Sequence, residues 1–268
     1  MTTPIAEDWR NWLTKQPIAH RGLHDGNISV MENSLAAAEA AIARQFAIEC
    51  DVQPSADGQA IVFHDVELER LTQGQGKIMN RTASELAALP YIHGPDHPVS
   101  LEEFINCIAG RTPLIVEIKS DFSGDVRLAR RAAEIVAGSS SPVALKSFDP
   151  TIMSFLRKNR AALRINHVPL GMVAEANYTD GEWAHLSRAL RSSLTHFLHW
   201  DDTRPDFLSW HIGDLPHSTP HLLRRALGLP VMTWTVRTEE QRALAMQWAD
   251  QIVFEETRGL HIAQVRPL

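Results

Sequence analysis

Short apolar runs alternate with helical patterns from residue 17 to residue 255, and this alternation constrains the fold more than any other feature of the chain. Eight runs read as strands, at 17–20, 47–53, 113–119, 143–147, 169–174, 207–211, 230–236 and 251–255. They are rich in Ile and Val and mostly lack polar alternation, which is the signature of strands covered on both faces. Strand followed by helix, eight times over, predicts an α/β fold of the (β/α)8 TIM-barrel type. A doubly wound sheet produces a similar pattern and stands as the alternative.

The intervening helices are marked by their ends. Asn33 precedes the apolar run 34–43, and Ser100-Leu-Glu-Glu103 and Thr238-Glu-Glu-Gln241 have capping-box spacing. Asp149-Pro150 and Thr219-Pro220 place a cap before a proline suited to the first helical position. Gly110, Gly138 and Gly228 stand where helices should stop.

One segment breaks the repeat. Residues 59–65 look like another strand, yet only Ser55-Ala-Asp-Gly58 separates them from the run before. Four turn residues can close a hairpin but cannot carry a right-handed crossover. Residues 61–64 therefore read as an antiparallel excursion. Residues 66–99, with turn-like Gly74-Gln-Gly76 and a short helix over 82–89, read as a small insertion over one rim. No linker, low-complexity tract or repeat interrupts the chain, so 1–268 reads as one domain.

Charge and cysteine content narrow the function. A net charge of −6 gives no general attraction to nucleic acid or anionic lipid. Two cysteines, Cys50 and Cys107, exclude a disulfide framework and point to a reducing compartment. The first residues lack a cationic segment leading into an apolar one, and no uncharged stretch approaches the ~18 residues of a membrane span. The expectation is a cytoplasmic protein without stable membrane insertion.

Chemistry-bearing residues collect at strand ends. Glu49 and Asp51 are two apart, so a strand points both to one face. They are rim carboxylates satisfied by Arg or Lys, or ligands for a hard cation such as Mg²⁺ or Ca²⁺. Glu117 and Lys119 repeat this spacing on the next barrel strand, as a local salt bridge or as a third carboxylate joining the first two. Three converging carboxylates favour a metal, because each would otherwise repel the others. His20 ends the first strand, followed by Arg21 and a turn-forming Gly22, and His64 ends the hairpin strand. Each alone reads as a surface histidine; beside a metal site the two read as general base and general acid. Arg21 and Lys119 supply positive charge for a phosphate. Together these residues fit metal-assisted cleavage of a phosphodiester. Trp200, Trp210 and Trp234 read as core packing or as a cation–π wall, with Trp234, at a strand end, favoured for the wall.

The chain resembles the glycerophosphodiester phosphodiesterase family. The resemblance rests on Ile18-Ala-His-Arg-Gly22, Glu32-Asn33, Ile48-Glu-Cys-Asp-Val52, Asp57-Gly58, Val62-Phe-His-Asp65, Thr82-x-x-Glu85-Leu86, Val116-Glu-Ile-Lys119, Ser147-Phe148 and Thr233-Trp-Thr-Val236. It implies a TIM-type barrel with a small insertion after the hairpin, and a divalent cation (Mg²⁺ or Ca²⁺, with Mn²⁺ also admitted) at Glu49, Asp51 and Glu117. It implies His20 and His64 as the catalytic pair and Arg21 and Lys119 as phosphate contacts, and the motif match at Trp234 adds to its strand-end position in favouring a substrate wall there. Glu32 matches a motif acid that orients Arg21 or serves structure alone. The expected substrate is a small phosphodiester, cleaved to glycerol 3-phosphate and an alcohol. The alternatives are the same chemistry on lysophospholipids or other headgroup phosphodiesters, and a barrel that binds without catalysis. Three positions depart from the family pattern: Met31 replaces a proline, Arg237 an Asn, and Glu255-Glu-Thr257 a Thr-Asp-x-Pro turn. Arg237 and Glu255 are expected to face each other at the mouth as an ion pair that shapes recognition.

Overall fold

The eight predicted runs form the parallel strands of a closed barrel in the computed structural model, which describes residues 8–179 and 181–256. In chain order the strands are β1 (Ile18–Ala19), β2 (Ala47–Pro54), β3 (Ala60–Val62), β4 (Val99–Ser100), β5 (Leu114–Ile118), β6 (Val143–Ser147), β7 (Leu170–Ala174), β8 (Phe207–His211), β9 (Val231–Val236) and β10 (Gln251–Phe254). The barrel runs β1-β2-β5-β6-β7-β8-β9-β10, and β10 pairs back onto β1 through Ile18↔Val253. That closure excludes the doubly wound sheet. β3 pairs antiparallel with the end of β2, from Val52↔Val62 to Pro54↔Ala60, and β4 pairs antiparallel with β3. The four-residue turn 55–58 thus makes a hairpin, as its length requires.

Around the barrel lie α1 (Leu35–Ala43), α3 (Leu101–Ile108), α4 (Arg127–Ala137), α5 (Pro150–Lys158), α6 (Arg188–Thr195), α7 (Trp200–Thr203), α8 (Ser218–Leu227) and α9 (Glu239–Trp248); α2 (Ala83–Ala87) belongs to the segment after the hairpin. Ser100, Asp149 and Thr238 cap α3, α5 and α9 as their spacing predicts, accepting from the amides of Glu103, Thr151 and Gln241. Two predicted caps shift. Ser34, not Asn33, caps α1, because Asn33 turns at φ +56° and spends its amide on Asp51. His217, not Thr219, caps α8, which begins at Ser218 and carries Pro220 in its third position.

The strands bury two layers. Their outer faces pack on the helices in one continuous apolar cluster. Inside, Ile18, Ala47, Ile115, Ala144, Phe207, Met232 and Val253 fill the lower barrel together with Trp12 and Leu13. Those last two come from the N-terminal turn, whose Thr14 carbonyl accepts from Gln251 Nε2 at 2.9 Å, so the bottom is sealed. Phe207 needs Gly171 beside it: a Cβ there would lie 2.3 Å from the ring. Each fully buried side chain of this size contributes about 1.5–3 kcal/mol. A separate cluster of Met31, Ile61, Phe63, Leu68, Leu71, Ile78, Leu86 and Tyr91 packs residues 66–91 onto the hairpin. Met31 is 1% exposed within it, so the departure at this position is absorbed by local packing. Among the described residues no helix is long and apolar enough to cross a membrane.

Candidate active site at the barrel mouth

Above its apolar lower layer the barrel interior becomes ionic. Strand register aligns Asp51, Glu117 and Lys146 across β2, β5 and β6, with Glu49 two residues below Asp51. Partners in a parallel ladder share a face, and these side chains converge. Glu49, Asp51 and Glu117 each offer a carboxylate oxygen, all within 4.8 Å of one another and all buried. Oxygen-only donors of this kind suit a hard cation. Glu49 Oε1, fully enclosed, faces only the ammonium of Lys146, at 3.0 Å, among the described residues.

Two ammonium groups also enter the cluster. Lys119 Nζ lies 2.6 Å from Glu117 Oε1 and 2.8 Å from Asp51 Oδ1. Lys146 Nζ lies 3.0 Å from Glu49 Oε1 and 3.2 Å from Glu117 Oε2. The lysine pairing of the acids thus forms, and their oxygens also converge closely enough to hold one cation. Burial alone would raise the Glu117 carboxyl; Lys119 and then Lys146 outweigh it and hold it at about 2. Asp51 is likewise held well below the usual carboxylate range, as Lys119 chiefly outweighs its burial. Both lysines are pushed up, the acids overcoming burial.

The two histidines flank this cluster in matching ways. His20 Nδ1 lies 2.6 Å from Glu255 Oε1. A carboxylate only accepts, so Nδ1 carries the proton and Nε2 turns inward, 3.9 Å from Glu49 Oε2. His64 Nδ1 lies 2.7 Å from Asp65 Oδ1, which fixes its tautomer by the same rule. Each carboxylate is held in turn by an arginine: Glu255 by Arg237 Nε at 2.7 Å and Nη2 at 3.0 Å, Asp65 by Arg70 Nη2 at 2.8 Å. Glu255 is kept well below its ordinary value, its bonds to His20 and Arg237 outweighing burial. The expected Arg237–Glu255 pair thus forms, but its acid also backs His20, and two guanidinium donors are committed to that acid.

Arg21 reaches the cluster because the chain turns sharply after β1. Arg21 adopts φ +57°, at a cost on the order of 1 kcal/mol. Gly22 follows at φ +77°, where a Cβ would meet that of Ala37 at 2.7 Å. The guanidinium donates to Glu32 Oε1 at 2.6 Å and lies 3.4 Å from Asp51 Oδ2. Glu32 also accepts both Nη groups of Arg70, at 2.9 and 2.8 Å. A chain of charged hydrogen bonds therefore runs Arg21–Glu32–Arg70–Asp65–His64. Trp234 lines the same mouth, edge-on to Phe148 at 5.5 Å and tilted against His211 at 5.0 Å. Trp210 and Trp200 instead pack with the outer cluster, Trp210 stacking on His217 at 5.0 Å.

All eight singled-out residues, His20, Arg21, Glu49, Asp51, His64, Glu117, Lys119 and Trp234, stand at this end of the barrel or on the hairpin beside it. Sequence reasoning missed Lys146, Arg70 and the contact of Glu255 with His20. Lys146 left a signal, because a lysine inside the apolar run Val-Ala-Leu-Lys-Ser needs a buried partner.

The model of the glycerophosphoryl diester phosphodiesterase family matches residues 20–255. The chain belongs to that family. As a family member it is a phosphoric diester hydrolase, and the matched span runs from His20 to Glu255, the two residues that meet at 2.6 Å. No curated protein matches it. Among solved structures it is similar to an Oleispira antarctica phosphodiesterase in complex with the product sn-glycerol-3-phosphate, at 21% identity over 91% of this chain and 93% of that one, with a TM-score of 0.71. It is also similar to a glycerophosphodiester phosphodiesterase from Agrobacterium tumefaciens (22% identity, 90% and 96% coverage, TM-score 0.64) and one from Thermotoga maritima (21%, 88% and 92%, 0.63). These likenesses agree on the barrel fold.

Proposed function

We propose that this phosphodiesterase hydrolyses glycerophosphodiesters to glycerol 3-phosphate and an alcohol with a divalent cation at Glu49, Asp51 and Glu117. The observation that carries the reading is the pair of histidines, each with Nδ1 committed to a carboxylate, set around a buried oxygen cluster beside Arg21 and Lys119. His20, the more enclosed of the two, takes the proton of the nucleophile through Nε2, and Glu255 stabilises the charge it gains. His64, more open to solvent, gives a proton to the departing alkoxide. Arg21 and Lys119 neutralise the phosphate, Arg21 being held in place by Glu32. Bound Mg²⁺, Ca²⁺ or Mn²⁺ would add Lewis-acid polarisation of the phosphoryl oxygens. Trp234 and Phe148 form one wall for the alcohol half. The sn-glycerol-3-phosphate found with the Oleispira relative supports this product. Two free cysteines, one of them buried, are in keeping with a cytoplasmic setting.

The test is a panel of glycerophosphodiesters, lysophospholipids and bis(p-nitrophenyl) phosphate, each with and without chelator. Release of glycerol 3-phosphate that stops on chelation and returns with Mg²⁺, Mn²⁺ or Ca²⁺ is expected. Full turnover in chelator contradicts the metal, and turnover of lysophospholipids alone contradicts the substrate.

A further inference from the structure

Lys146 has no assigned part in the reaction above. It is 2% exposed, on a barrel strand whose other face packs against helices. An isolated ammonium at that depth would be strongly unfavourable, yet the strand ladder places it level with Glu117 and Asp51. Its Nζ lies between Glu49 Oε1 and Glu117 Oε2, oxygens of two of the three acids gathered for a cation.

Lys119 differs in a decisive respect. Its side chain is 20% exposed, and it bridges Asp51 and Glu117 from the open side, where a phosphate can reach it. Lys146 reaches Glu49 and Glu117 from the adjacent strand and is only 2% exposed. Lys119 pairs with Asp51 and Glu117, and Lys146 pairs with Glu49 and Glu117, so each of the three acids has an ammonium partner without a metal.

We propose that Lys146 is a tethered counter-ion of the carboxylate site: its ammonium supplies positive charge when no divalent cation is present and is displaced from Glu49 and Glu117 when one enters, so it sets the affinity of the site for metal. This rests on the hard-cation reading above. The geometry makes the competition direct, because cation and ammonium would claim the same two carboxylates, Glu49 and Glu117, and repel each other. The stem of a lysine is flexible enough for Nζ to withdraw.

The experiment is a Mn²⁺ titration of wild type and Lys146→Gln, free Mn²⁺ being read by electron paramagnetic resonance and no substrate being added. The variant is expected to bind Mn²⁺ tighter by roughly tenfold or more, each tenfold being about 1.4 kcal/mol. Its Tm should fall in chelator and recover with Mn²⁺ to a greater extent than that of wild type, by linkage. If Lys146→Gln folds only when Mn²⁺ is supplied, that too is the expected dependence. A second measurement needs no variant: the ¹⁵N signal of the Lys146 ammonium in wild type should move as Mg²⁺ saturates the site. Measurable Mn²⁺ binding that is equal or weaker in the variant, or a Lys146 signal unmoved at saturating Mg²⁺, overturns the counter-ion role and leaves the phosphodiesterase reading intact. Absence of Mn²⁺ binding by either protein overturns both.

Discussion

The two sides of the mouth carry the same three-part device, built from opposite materials. On one side His20, Glu255 and Arg237 come from the ends of β1, β10 and β9; on the other His64, Asp65 and Arg70 come from seven consecutive positions after the hairpin. The barrel device is stiff, because each member ends a strand fixed by its neighbours. Its histidine side chain is only 10% exposed, against 31% for His64. The loop device is wetter and is tied through Glu32 to Arg21. On the proposed roles, enclosure favours the base, which holds a proton-accepting Nε2 against the cluster, and openness favours the acid, which regains a proton from solvent after each turnover.

The largest effect expected is from the histidines themselves. His20→Ala and His64→Ala should each lower kcat by roughly 10²–10⁴, the range of proton-transfer groups. On a substrate that releases p-nitrophenol, the loss for His64→Ala should shrink while that for His20→Ala persists. Equal losses on both substrates would erase the assigned difference between the sides.

The supporting acids should follow the same asymmetry on a smaller scale. Glu255→Gln keeps an acceptor for Nδ1 but removes the charge, and kcat should fall on the order of 10²; Asp65→Asn should cost about tenfold, because solvent compensates a more exposed pair. Steady-state kinetics on one glycerophosphodiester decide this, and a larger loss for Asp65→Asn would reverse the comparison.

The smallest effect is on acid stability. Glu32 is held at about 2, the bonds from Arg70 and the charge of Arg21 outweighing its burial; Glu117 is also held at about 2, against 4.5 ordinarily. A carboxylate with a lowered native pKa contributes stability that is fully present above its unfolded value and is lost as pH falls toward the native one. The fold should therefore weaken between about pH 4.5 and pH 2. Arg70 holds two acids, Glu32 and Asp65, whereas Arg237 holds Glu255. Removing an arginine raises the pKa of the acids it held, so Arg70→Met should move the acid-unfolding midpoint upward more than Arg237→Met. At neutral pH both should cost only about 1 kcal/mol or less, since both guanidinium groups are nearly half exposed. Circular dichroism along a pH series reads both.

The same contrast governs what the sequence discloses. Barrel strands are legible because burial on both faces leaves uninterrupted apolar runs, and the hairpin because four residues are too few for a crossover. The acids were found by the two-residue period, which is a local rule. Local rules also reach Asp65 beside His64. They do not reach Glu255 against His20, separated by 235 positions, because only closure of the barrel makes β1 and β10 neighbours. The cap of α1 was misplaced by one residue since Asn33 and Ser34 are both good caps, and the choice depends on a remote partner, Asp51. Arg70 sits in an irregular segment without periodicity, so nothing local marks it.

The sealed floor has a consequence for traffic. With Trp12 and Leu13 stopping the lower end, the barrel is a cup with a single rim, and whatever enters leaves the way it came. On the proposed reaction two products share that exit. The alcohol, freed beside His64, is expected to depart before the phosphate half, because Arg21 and Lys119 are more enclosed than His64. Glycerol 3-phosphate accumulating outside would then occupy the empty cup in competition with fresh substrate, whereas the alcohol would not.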